Sequence, residues 1–190
     1  SKAEAMAKQF DGFTEDHRAF IAEQPLFFVA TSAPGARLNL SPKGMDSLRV
    51  TGTNRLLWLN VTGSGNETAA HLPLDPRMTV MWCSFGTRPL ILRAYGTART
   101  VHRGDADWPA LAAELPDVPG ARQVFDMTVE MVQTSCGFAV PFMEAPRERP
   151  VLRNWAEQKG EAGLAAYWDE KNRTSIDGLS TGIGANLGED

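Results

Sequence analysis

Two stretches of this 190-residue sequence carry residues whose types and spacing suit a ligand. The first is Gly63-Ser64-Gly65 followed by Asn66-Glu67-Thr68-Ala69-Ala70-His71-Leu72. Read as a tight turn opening a short helix, it leaves several backbone N–H groups unpaired and aimed one way, which suits anions and phosphate above all. The same residues also read as an ordinary cap. Ser64 and Glu67 stand in the S-x-x-E spacing of a capping box, which would satisfy two of those donors internally. On the turn alone the plain cap is the stronger reading. The second stretch, 37–43, alternates: Leu38, Leu40 and Pro42 fall on one face, and Arg37, Asn39, Ser41 and Lys43 on the other. A solvated edge strand would show such a polar stripe. Two cations alternating with two neutral hydrogen-bonders also suit a phosphate and the polar edge of a heterocycle.

Other chemistry is missing. The sequence has no P-loop lysine motif and no G-x-S-x-G elbow. G-x-G occurs at 63–65 and 182–184 without the βαβ setting of a dinucleotide fold. Cys83 and Cys136 are isolated, as are His17, His71 and His102, so neither a disulfide framework nor a metal site is expected. No residue stands out as acid, base or nucleophile, so a catalytic role would fall to a cofactor. A net charge of −4 with scattered basic residues gives no reason to expect nucleic acid. No apolar run approaches the ~20 residues of a membrane span. No leader-like segment opens the sequence, which sets the expectation of a cytoplasmic protein.

The elements that must position these residues are mostly strands. Residues 1–13 read as an arm that orders only against something else. Thr14 caps a helix running to about residue 24, with Phe20 and Ile21 facing the core. Strands are expected over 26–31, 37–43, 48–51, 55–62, 77–85, 90–102 and 121–133. Gly96 marks a bend in the sixth of these, and Cys83 is read as a small core residue. Helices are expected over 105–115 and 152–171, the latter interrupted near Gly160. Short connections make the sheet antiparallel, and long bent strands with few peripheral helices suggest a small barrel. Two parts follow, 1–145 as the barrel with its N-terminal helix and 146–190 as a helical extension packed on the barrel or on a partner subunit.

The order LFFVATS, LNLSPKG, LRV, RLLWLNVTGSGNETAAHL, RMTVMW, LILRAYGTART and SCGFAVPF resembles the flavin-binding split β-barrel proteins related to pyridoxamine 5′-phosphate oxidase. The resemblance covers roughly residues 17–143, and SIDGL at Ser175 to Leu179 is similar to the C-terminal ends of uncharacterised members. It implies a mainly β fold, an antiparallel split barrel working as a homodimer, with FMN in each of two clefts between subunits. Carried over residue by residue, it implicates Asn39, Ser41, Pro42 and Lys43, then Asn60, Thr62, Gly63, Ser64, Asn66 and Thr68. Lys43, Ser41, Ser64, Asn66 and Thr68 would hold the phosphate, and Asn39 and Asn60 the ring edge or ribityl chain. Trp58 or Trp155 could cover the rings, with packing in the core as the alternative for both. The arginine-rich substrate-phosphate residues and the RxVLLK strand of true pyridoxamine phosphate oxidases are missing, which argues against the vitamin B6 reaction.

The expectation is therefore an FMN-dependent oxidoreductase passing hydride from a small-molecule donor to an acceptor. A relative using the deazaflavin F420 is the alternative, with Arg49, Arg55 and Arg93 as candidates for its polyglutamate tail. A non-catalytic flavin or haem binder is the rival of another class. For haem, His71 is the axial candidate, and packing within the short helix is its other reading.

Overall fold

The structure is a computed structural model describing residues 7–144 and 146–189. In chain order it contains β1 (Lys8–Phe10), α1 (Glu15–Ala22), β2 (Phe27–Thr31), β3 (Asn39–Lys43), β4 (Leu48–Gly52) and β5 (Arg55–Val61). There follow α2 (Glu67–His71), β6 (Arg77–Cys83), β7 (Leu90–His102), α3 (Trp108–Ala112), β8 (Ala121–Cys136), α4 (Val151–Lys171) and a 3-10 turn over Ile183–Leu187. Every strand pair is antiparallel. The strands form one eight-stranded sheet in the order β3-β2-β6-β7-β8-β5-β4, with β1 paired to β8 off that path.

This sheet has to curl. Its two end strands, β3 and β4, are consecutive in the chain and joined only by residues 44–47. Seven flat strands would hold their ends about 29 Å apart, at about 4.8 Å per neighbour. The connection from Lys43 to Leu48 spans at most about 18 Å fully extended. Twist and three register shifts bend the sheet. One is at Gly96, where the β7–β8 register shifts between Tyr95 and Gly96. A Cβ there would lie 1.9 Å from the Thr128 carbonyl oxygen, so only glycine fits. β8 also splits the sheet, because its residues 121–128 pair with β5 whereas residues 132–134 pair with β1.

The concave face buries Phe20, Phe27, Trp58, Trp82, Phe125 and Met127 in one continuous core. The opposite face carries a smaller cluster in which Leu57, Leu59 and Val124 pack under Leu111 of α3. Period-two alternation along β5 explains the division, since Trp58 belongs to the first cluster and its neighbours Leu57 and Leu59 to the second. A third cluster joins Ala156, Leu164 and Trp168 of α4 to Ile183.

Several expected elements are displaced. The first helix ends at Ala22, although Thr14 caps it as expected and receives the His17 amide at 3.2 Å. The N-terminal arm orders as β1 against β8 within its own chain; its first six residues lie outside those described. The helix expected over 105–115 shrinks to α3, because the Asp105 carboxylate accepts the His102 amide at 2.7 Å and closes the turn after β7 instead. The last strand runs on to Cys136. The break in α4 is at Gly160, whose φ of 64° leaves the helical region. No helix among the described residues is long and apolar enough to cross a membrane.

Candidate functional site

β3 is an end strand whose polar stripe faces inward. Asn39, Ser41 and Lys43 are half-buried, whereas Leu40 on the opposite face is 68% exposed and Leu38, just ahead of the strand, 83% exposed. This inverts the usual amphipathic strand over 39–43, although Arg37, earlier on the same stripe, is exposed. Pro42 is tolerated because β3 pairs only with β2, leaving its other edge without a ladder.

The stripe meets β5 and the residues after it around a cavity of about 380 Å³. Every expected site residue lines that cavity: Asn39, Ser41, Pro42 and Lys43 on one side, and Asn60, Thr62, Gly63, Ser64, Asn66 and Thr68 on the other. Trp58 forms part of the wall, fully buried at its other side, with the Lys43 ammonium 5.3 Å from its ring centre.

The loop differs from expectation. Residues 62–66 make an open connection with a single bend at Ser64 rather than a tight turn, and neither Gly63 nor Gly65 has a positive φ. The capping box does not form. Asn66, not Ser64, precedes α2, and no side chain caps that helix. Ser64 is exposed, and the Glu67 carboxylate instead accepts the Ile176 amide at 3.0 Å. The loop is shaped from behind. Arg122 donates to the Gly63 oxygen at 3.3 Å and the Gly65 oxygen at 2.6 Å, and Asn172 donates to the Gly63 oxygen at 3.0 Å.

Arg122 was not legible as a site residue. It reaches the loop because the β5–β8 register shifts, with Asn60 opposite Gln123 and Val61 opposite Ala121, so Arg122 is the bulged residue between them. A bulge redirects one side chain out of the alternation. Gln123 did leave a signal, being a polar residue in phase with Phe125, Met127 and Val129, all buried. The Asn60 amide nitrogen donates to the Gln123 oxygen at 2.9 Å and to the Asn66 oxygen at 3.2 Å. That relay fixes the Asn66 amide with its own nitrogen buried and unpartnered in the cavity wall. Thr62 is engaged otherwise, its hydroxyl donating to the Gly120 oxygen and accepting from the Trp168 indole at 2.8 Å.

Two cations, Lys43 and Arg122, and one carboxylate residue, Glu67, line the cavity. Arg122 is 2% exposed, and its partners are carbonyl and amide oxygens. Burial pushes its guanidinium down to about 10. Burial also pushes the Lys43 ammonium down to about 8, with the charge of Arg122 as the second cause. Among the described residues neither cation has a carboxylate partner. A cation held away from water without a partner charge is costly, and the buried Arg122 with the half-buried Lys43 on one cavity favours an anionic guest.

A second cavity of about 1,150 Å³ adjoins the first across Lys43 and Met45, with Ile21, Phe27, Trp82 and Trp155 on its walls. The other expected cations are committed elsewhere: Arg49 to Asp46 at 2.7 Å, Arg55 to Asp126 at 2.8 Å, and Arg93 towards Ser135 at 3.3 Å. They form no common channel. His71 is fully buried, with Nδ1 3.1 Å from the Thr31 hydroxyl, and lines neither cavity. It is a packed helix residue.

Comparison with known proteins agrees with this geometry in fold. The family model for pyridoxamine 5′-phosphate oxidase matches residues 13–136. The Aspergillus flavus pyridoxamine 5′-phosphate oxidase family protein ustO is 33% identical over 189 residues, spanning 90% of this chain and 76% of that one. Among solved structures, Group A Streptococcus HupZ superposes with a TM-score of 0.50 at 22% identity, over 63% of this chain and 91% of that one. A candidate pyridoxamine 5′-phosphate oxidase from Lactobacillus delbrueckii gives a TM-score of 0.51 at 21% identity, over 65% and 94% respectively.

Proposed function

The chain belongs to the pyridoxamine 5′-phosphate oxidase family, and from that premise we propose that it is an FMN-dependent oxidoreductase acting as a homodimer. The observation that carries this reading is a buried cation, Arg122, and a half-buried one, Lys43, on one cavity, with no carboxylate bound to either among the described residues. A phosphate dianion supplies the missing charge. The donor set fits: the Lys43 ammonium, the Ser41 hydroxyl, the unpartnered Asn66 amide and the open loop at Gly63 to Gly65. The Asn39 side chain, at the far end of the β3 stripe, is left for the ribityl chain or ring edge. Asn60 acts indirectly, since its amide nitrogen is spent in orienting Asn66.

Bound flavin supplies a two-electron carrier between a reduced donor and an acceptor, both small molecules. The protein's part is to hold the phosphate, exclude water with Trp58 and the apolar walls of the larger cavity, and leave that cavity open to substrate. FMN is preferred to F420 because, of the three arginines read for a polyanionic tail, Arg55 and Arg93 line neither cavity and Arg49, on the larger one, is paired with Asp46. Haem is disfavoured because His71 has no access to either cavity.

The test is chemical identity followed by turnover. The purified protein is expected to be yellow and to release FMN on denaturation. Anaerobic NADH or NADPH should bleach the flavin at ~1 per second or faster, within the ordinary enzyme range. Release of FMN without bleaching by any donor would make the protein a carrier. A colourless protein that takes up no flavin would remove the proposal.

A further inference from the structure

The loop from Gly63 to Gly65 has no backbone–backbone hydrogen bond of its own among the described residues; the nearest are the Thr62 amide to Gly120 and the Ala70 amide to Asn66. Its shape depends on side chains from elsewhere. Asn172, at the end of α4, is fully buried and spans the gap, donating to Gly63 and accepting from Arg122 at 2.7 Å. Four residues on, the Ile176 amide donates to Glu67 at the start of α2. One residue further, the Asp177 carboxylate accepts the Arg37 amide at 2.8 Å and pairs with the Arg37 guanidinium. Arg37 enters β3, an end strand held on one edge only. The turn presenting these groups is built locally, with the Ser175 hydroxyl accepting from Asp177 and Leu179 and the Ser175 amide bonded to Leu179.

We propose that residues 172–177 are a positioning clasp that fixes three walls of the anion cavity at once: the loop through Asn172, α2 through Ile176, and β3 through Asp177. Segments more than a hundred residues apart in sequence are thereby set in one register. Neither Arg37 nor Asp177 lines the cavity, so the clasp acts through preorganisation and touches no ligand. It rests on the phosphate reading only for its consequence; the geometry itself is independent of what binds.

Asp177→Ala tests it, alone and combined with Arg37→Ala. Hydrogen exchange of the unliganded protein should quicken over residues 37–43 in Asp177→Ala, with the melting temperature lowered by about 4 °C at most, since Arg37 is exposed and the Asp177 side chain only partly buried. If the site is then competent in about a tenth of molecules, the apparent Kd for FMN rises about tenfold. Affinity for riboflavin, which lacks the phosphate but still meets Asn39 on β3, should fall by less. The double variant should match Asp177→Ala, since Arg37 acts through that carboxylate. Unchanged exchange over 37–43 would overturn the clasp whether or not FMN binds. So would additive losses in the double variant. Faster exchange in a protein that does not distinguish FMN from riboflavin would uphold the clasp and remove the phosphate reading instead.

Discussion

At the residue scale, Lys43 and Arg122 are charges held away from water without a carboxylate partner among the described residues, a cost that a bound anion would offset. A lysine held at about 8, against 10.5 when unfolded, binds fewer protons in the native state than in the unfolded one between those values. Stability of the unliganded protein should therefore rise as pH increases from about 8 to 10.5, by an amount on the order of 3 kcal/mol. Lys43→Met should abolish that rise and stabilise the unliganded protein at pH 7, where the wild type carries the buried charge. Both are read from denaturant midpoints. FMN affinity should move oppositely. It should fall as pH rises through about 8, where the free Lys43 loses its proton, and fall again below about 6, where the phosphate becomes a monoanion. A pH-independent affinity in the wild type would exclude Lys43 as the phosphate partner.

At the scale of elements, the bulges set the curvature and the aim of the site. Gly96→Ala forces a Cβ into the Thr128 carbonyl. It should cost about 3 kcal/mol or more and lower the melting temperature by about 6 °C or more; a loss under 1 kcal/mol would mean that β7 and β8 adjust freely. Local patterns foretold much of this layout. The 90–102 strand, the Thr14 cap, the break at Gly160 and the alternation of β3 each depend on neighbours close in sequence. The direction of that alternation was left open, because an inward polar stripe and a solvated one have the same spacing. The loop after β5 misled for a related reason. Ser64 and Glu67 have capping spacing, but Glu67 is claimed by Ile176, more than a hundred residues away. Arg122 was hidden by a register shift between β5 and β8, which only pairing reveals.

At the scale of the whole molecule, two features invite a partner. Leu38 and Leu40 are exposed on the outer face of the end strand, and Phe138, Phe142, Met143 and Val151 are exposed around the approach to α4. Apolar surface of this kind is usually covered in use, and two-fold pairing is the commonest solution. Light scattering should give about 41 kDa, twice the 20.7 kDa of one chain; a monomer that retains FMN would rule out a cleft shared between subunits. The cavity between β3 and the loop after β5 is proposed to hold a phosphate carried by a flavin. Calorimetric titration of the unliganded protein with FMN and with riboflavin, at pH 7 and fixed salt, tests it most directly. Charge-assisted contacts are worth about 1.5–3 kcal/mol each, so two of them make FMN at least about a hundredfold tighter. Lys43→Ala should erase tenfold or more of that preference while leaving riboflavin binding alone. Equal affinities for FMN and riboflavin in the wild type would contradict the account.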